Sequence, residues 1–118
     1  MQLSSTGKFL AVTNNGQSTQ SLQLIDPKTE TILDEQILAK SWYGLAFSKD
    51  EQHLYASGGN DNWILDFKIE NNKLGKSDTI KLGPVWPKGK ISPAGIAINK
   101  GNTRLYTVTK EDSTLYII

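Results

Sequence analysis

The sequence predicts an all-β fold, a partial β-propeller of about 2.5–3 four-stranded antiparallel blades. Three observations predict it. A unit of about 44 residues recurs, within the roughly 40–45 residues of a four-stranded blade. Each copy breaks into short alternating strands punctuated by turn residues. No segment of ten or more residues keeps a convincing helical period.

The repeats are read from three stretches: Leu3 to Val12, Phe47 to Ala56, and Ile98 to Thr107. Leu3 to Phe47 is a shift of 44, and Phe47 to Ile98 a shift of 51. The 7 extra residues fall in the insertion Gly83 to Lys90.

The middle copy, 41–82, reads as a complete blade. Strand A is Gly44 to Phe47, closed by the polar turn Ser48 to Glu51, whose residues bond locally to backbone. Strand B is His53 to Ser57, with Leu54 and Ala56 on one face and Tyr55 on the other. Gly58 to Asn62 is a turn of residues that tolerate positive φ. Strand C is Trp63 to Ile69, Asn71-Asn72 a hairpin turn, and strand D roughly Ser77 to Leu82.

The first copy, 3–38, is expected to lack strand A, with Leu3 its only remnant. Strands B (Phe9 to Thr13), C (Ser21 to Asp26) and D (Thr31 to Ile37) follow, with a Pro27-Lys28-Thr29-Glu30 turn. Ile32 to Lys40 has a competing short-helix pattern, outweighed by its equivalence to strand D. The third copy, 92–118, is expected to lack strand D. It supplies A (Ser92 to Ile98), B (Arg104 to Thr109) and a C strand starting at Thr114. That makes ten strands in one partial propeller domain spanning 1–118.

Composition limits function. The 118 residues are 37% hydrophobic and 21% charged, as in a globular chain. A net charge of +1, with no basic run longer than two, leaves no electrostatic footprint for nucleic acid or an anionic membrane. No apolar run reaches the roughly 20 residues of a membrane helix. The chain has no Cys and a single His, His53, so thiolate sites and histidine clusters are excluded within it. No metal and no cofactor is implied. Neither a Gly-x-Ser-x-Gly elbow nor a phosphate-cradling glycine loop occurs.

The D–A and B–C loops of a propeller emerge together around the central channel, the usual ligand side. Here they contain the candidate ligand-binding residues Trp42, Tyr43, Asn60, Asp61, Trp86, Glu111 and Asp112. Trp42-Tyr43 reads as an aromatic platform at the channel mouth. The alternative is that one ring packs between neighbouring blades. Trp86 lies in the insertion, either lining a site or covering a blade edge. Asn60-Asp61-Asn62 offers oxygens to a hard cation. It lacks the glycine and distal Glu of a calcium loop, so an ordinary turn explains it better. Glu111-Asp112 occupies the equivalent loop, which favours a turn role in every blade. His53 and Arg104 open B strands on the opposite side.

The A strand ending at Ser48-Lys49-Asp50, followed by Leu54-Tyr55-Ala56-Ser57-Gly58-Gly59-Asn60-Asp61-Asn62 and an apolar strand, resembles YVTN-type β-propeller repeats. These belong with the wider WD40-like superfamily. The family tetrad is divergent here: Ala11-Val12-Thr13-Asn14, Tyr55-Ala56-Ser57-Gly58 and Tyr106-Thr107-Val108-Thr109. A WD-repeat match is poorer, because Ile25 stands where Trp precedes Asp26. The resemblance implies a fragment of a ring of about seven blades. It also implies a bacterial, periplasmic or extracellular protein, similar to the propeller half of proteins with a downstream alkaline-phosphatase-like domain.

Three functions compete. One is a scaffold binding a protein or carbohydrate, with no catalytic constellation of its own. The second is part of a lactonase-type propeller enzyme. The third is an accessory substrate-positioning domain fused to a phosphoesterase. Expected partners are the remaining blades of a parent chain, or self-association that completes a ring.

Overall fold

The computed structural model covers residues 1–118, and the side chains described are those of every residue except Ser77. Eleven strands form three antiparallel sheets of 4, 4 and 3 strands. The first blade is β1 (Gln2–Leu3), β2 (Leu10–Asn14), β3 (Gln20–Asp26) and β4 (Thr31–Leu38). The second is β5 (Leu45–Phe47), β6 (His53–Ser57), β7 (Trp63–Glu70) and β8 (Lys73–Lys81). The third is β9 (Pro93–Ile98), β10 (Leu105–Thr109) and β11 (Leu115–Ile117). Each sheet runs in chain order, and β5 packs against both β1 and β9, so the first strands of the blades lie side by side.

Two differences from the sequence reading have physical causes. Gln2 and Leu3 pair with Ala11 and Leu10, so the first blade has a two-residue innermost strand rather than Leu3 alone. The strand total is therefore eleven, not ten. β8 begins at Lys73, ahead of the expected Ser77, whose side chain lies outside the described set. Asn71 and Asn72 both have positive φ (51° and 61°), the geometry of a tight I′ turn, so Glu70 pairs with Lys73 at once. The competing helix at Ile32 to Lys40 is strand through Leu38.

The A–B turn repeats atom by atom. Ser4, Ser48 and Asn99 sit at equivalent positions. Each side chain accepts the N–H that opens strand B: Phe9 N at 3.0 Å, His53 N at 2.9 Å and Arg104 N at 3.0 Å. Three residues later stand Gly7, Glu51 and Asn102, all at positive φ (77°, 59° and 56°). Glu51 and Asn102 reach back to the preceding blade. Glu51 accepts from Thr6 N and Thr6 Oγ1, both at 2.7 Å, and Asn102 accepts from Lys49 N at 2.8 Å. On the outer edge, Asp34 accepts the Leu74 N–H at 2.7 Å, joining β4 to β8.

The main core lies between the first two blades. Ala11, Leu22 and Leu24 meet Leu54, Ala56, Leu65 and Phe67, and Phe9 stacks on Phe47 at 6.4 Å. The next junction is closer: a Cβ on Gly44 would lie 1.7 Å from the carbonyl oxygen of Ala94. Each end of the row presents apolar side chains to solvent. Leu3, Ile32 and Ile37 do so on the first blade, and Val108, Leu115 and Ile117 on the third. Cross-strand pairing of Val108 with Leu115, and Tyr106 with Ile117, puts these last residues on one face.

Candidate functional site

The D–A linker 39–43 is where all three blades meet. Ser41 binds the B–C loop of the first blade: its Oγ donates to Asn15 Oδ1 at 2.6 Å and its N–H to Gln20 Oε1 at 2.7 Å. Lys40 pairs with Asp61 of the second blade, Nζ to Oδ1 at 3.2 Å. Trp42 lies on Gly59 of the same loop, where an added Cβ would be 2.0 Å from Cδ1 of the indole. Lys110 of the third blade places its ammonium 4.9 Å from the Trp42 ring centre. The linker and the 60–62 turn therefore share a face.

Gly58 and Gly59 do more than turn the chain. A Cβ on Gly58 would lie 2.1 Å from Cδ1 of Trp63. Each glycine leaves a flat seat for one indole. Trp63 Nε1 is buried and has no hydrogen-bond partner among the described residues.

The two readings of Trp42-Tyr43 divide between its members. Trp42 is half-buried and wedged between Gly59 and Lys110. Tyr43 is 78% exposed, edge-on to Trp42 with ring centres 6.5 Å apart. A cavity of about 210 Å³ opens beside them, lined by Asn15, Gln20, Ser41, Trp42 and Tyr43. Asn15 reads from the sequence as one of the polar turn residues of this loop, and Gln20 carried no signal of its own. Their partner is a serine more than 20 residues away.

The remaining candidates are held by bonds to other parts of the chain or within their own loop. Asn60 Oδ1 accepts the Ser92 hydroxyl at 3.0 Å. Asn62, fully buried and left-handed (φ 58°), donates to the carbonyls of Pro84 and Gly89 at 2.7 and 2.8 Å. Its Oδ1 accepts from Ser92 N at 2.8 Å. With Asp61 on Lys40, the oxygens of 60–62 serve the fold, as an ordinary turn would. Glu111 lies 3.8 Å from Lys110. Asp112 accepts from the hydroxyls of Thr109 and Tyr116, and the Thr109 bond holds its carboxyl below the usual range. Trp86 stays in its own loop, with Lys90 5.5 Å from its ring centre, and makes no ring contact with Trp42 or Tyr43 among the described residues. Away from this face, His53 Nδ1 meets Asp66 Oδ1 at 2.8 Å, and its ring stacks on Tyr55. No three His, Cys, Asp or Glu side chains cluster as metal ligands among the described residues.

Solved structures share this arrangement of blades. The chain superposes on hydrazine synthase of Kuenenia stuttgartiensis with a TM-score of 0.78 at 18% identity, over 98% of this chain and 30% of that one. The periplasmic gluconolactonase of Pseudomonas aeruginosa gives 0.70 at 18% identity, over 98% and 35%. The β-propeller domain of Myceliophteria thermophila Cps50 (Swd1) gives 0.68 at 17%, over 98% and 38%. At such identities the likeness shows the fold: the chain is a partial β-propeller. It spans about a third of the length of these structures. No family model and no curated protein sequence matches it.

Proposed function

We propose that this chain is a YVTN-type propeller segment that works as a binding scaffold, taking its ligand on the face where linker 39–43 gathers the three blades. One observation carries the reading: the carboxylates on that face are already engaged. Asp61 is paired with Lys40, Glu111 with Lys110, and Asp112 with two hydroxyls. A general base must lie within hydrogen-bond reach of the proton it takes. The one imidazole, His53, opens strand B away from this face. What the face offers instead is the exposed ring of Tyr43 beside a small cavity.

The exposed apolar faces at the two ends belong to the same reading. Further blades of the parent chain cover them, an arrangement supported by the greater length of the similar propellers. The similar structures include a gluconolactonase, so D-glucono-1,5-lactone is the discriminating probe. The scaffold reading expects hydrolysis no faster than in buffer. Turnover that falls in Asp61→Asn or Glu111→Gln would replace it with the enzyme reading.

A further inference from the structure

We propose that the cavity between the first and second blades binds one neutral sugar ring, a pyranose stacked on Tyr43 with its hydroxyls on the amides of Asn15 and Gln20. This rests on the scaffold reading and names its ligand class.

The Gln20 amide orientation follows from Ser41. Its backbone N–H can only donate, so Gln20 presents Oε1 to it, at 2.7 Å. Its hydroxyl reaches Asn15 Oδ1 at 2.6 Å and Gln20 Oε1 at 3.5 Å. Both carbamoyl oxygens converge on one serine, which leaves Asn15 Nδ2 and Gln20 Nε2, both on residues lining the cavity, as donors with no partner among the described residues. Two such donors suit two hydroxyl oxygens. The pairing also fixes the donors in place, because each amide is held at its oxygen.

The aromatic partner is equally specific. Trp42 is packed on Gly59 and under Lys110, whereas Tyr43 stands free. Its ring face carries partial negative charge and attracts the partly positive C–H bonds on one side of a pyranose. The cavity's 210 Å³ is below the roughly 300–1,000 Å³ of clefts that enclose drug-sized ligands. It suits one ring rather than an extended chain. Charge selects for neutrality. None of the cavity's lining residues is charged. The two lysines that meet linker residues or their partners are each matched by a carboxylate, Lys40 by Asp61 and Lys110 by Glu111.

The test is a titration of the chain with methyl glycosides of glucose, galactose and mannose, their monodeoxy analogues, and the corresponding hexuronates, read by calorimetry and by ¹⁵N chemical shifts. At least one neutral glycoside is expected to bind, with shifts confined to 15–20 and 41–43. Tyr43→Ala is expected to weaken it about tenfold, a step of about 1.4 kcal/mol. Tyr43→Phe, which keeps the ring, stays within a few-fold. Loss of one of two adjacent hydroxyls from the sugar should weaken binding further. The proposal is overturned if no neutral glycoside binds, if Tyr43→Ala binds as well as wild type, or if hexuronates bind more tightly. None of these outcomes touches the scaffold reading, which falls only to lactone turnover.

Discussion

The indole of Trp42 rests on Gly59, and no side chain fits between them. A Cβ at Gly59 would come within 2.0 Å of the ring, and the residue has φ of 54°, in the left-handed region. The space demands glycine at this position, and the left-handed backbone favours it. The consequence reaches the candidate site directly. Linker 39–43 joins three blades, and Trp42 is its fixed point on the second.

Gly59→Ala is expected to displace Trp42 before it unfolds the blade. A non-glycine residue in this conformation costs about 1–3 kcal/mol. The checks are a red-shifted tryptophan emission and a lower midpoint of thermal unfolding. Trp42→Phe should keep the fold with a smaller loss, since the ring seat remains filled. Equal stability of Gly59→Ala and wild type would mean the indole seat contributes nothing.

Asn62 is expected to be the polar residue on which the 83–92 loop depends most. It is fully buried, and its side chain bonds Pro84, Gly89, Ile91 and Ser92. Asn62→Gly preserves the left-handed backbone, so its effect isolates those bonds. Leaving their buried partners unsatisfied costs about 1–3 kcal/mol each where water cannot enter. Hydrogen exchange should accelerate across 84–92 and remain slow in β2 and β3. Uniform acceleration would instead indicate global destabilisation.

Gly44 tests the junction between the second and third blades. Backbone, not a flexible side chain, blocks its Cβ: the Ala94 oxygen at 1.7 Å. Gly44→Ala must push β9 outward. Overpacking of this kind costs about 1–3 kcal/mol, occasionally more. Protection is expected to fall in β9 and β10, with the first-blade core spared. A stable Gly44→Ala variant with unchanged exchange would show that β9 yields freely.

These sensitivities also explain what the sequence made legible. The B strands were readable because Ser4, Ser48 and Asn99 mark the same turn at the repeat spacing. Chain order and strand alternation carried the blade architecture. Asn62 was readable as a turn residue or a cation ligand but not as a buried anchor, because its partners lie 22 to 30 residues away, in the insertion and just beyond it. Gly58 and Gly59 looked like turn glycines, and nothing local announces that each seats an indole. The candidate set included Trp42 and Tyr43 but could not say which ring packs and which stands free. Asn15 was readable only as a turn residue of its loop and Gln20 not at all, for the same reason as Asn62: a hydrogen bond to Ser41 is a long-range event. The two-residue β1 lay below any periodicity signal.

Acid sensitivity should map to the stitches between the first two blades. Burial pushes the Glu51 carboxyl up, but donation from the Thr6 N–H and hydroxyl outweighs it, so its pKa lies below the ordinary value. Asp34 behaves alike: burial raises it, and the Leu74 N–H, with Glu35 N–H and Gln36, more than offsets this. A carboxyl depressed in the folded state binds its proton more readily when unfolded. Its stabilisation is therefore full above the unfolded pKa, about 4.3 for Glu and 3.9 for Asp, and is lost as pH falls through the folded value. Thermal midpoints should be flat from pH 7 to about 5 and fall below that. Glu51→Gln keeps an acceptor for Thr6 but removes the titration. It should lower the midpoint at pH 7 and flatten the acid limb, converging with wild type near pH 3. An acid limb as steep in Glu51→Gln combined with Asp34→Asn as in wild type would assign the loss to other carboxylates.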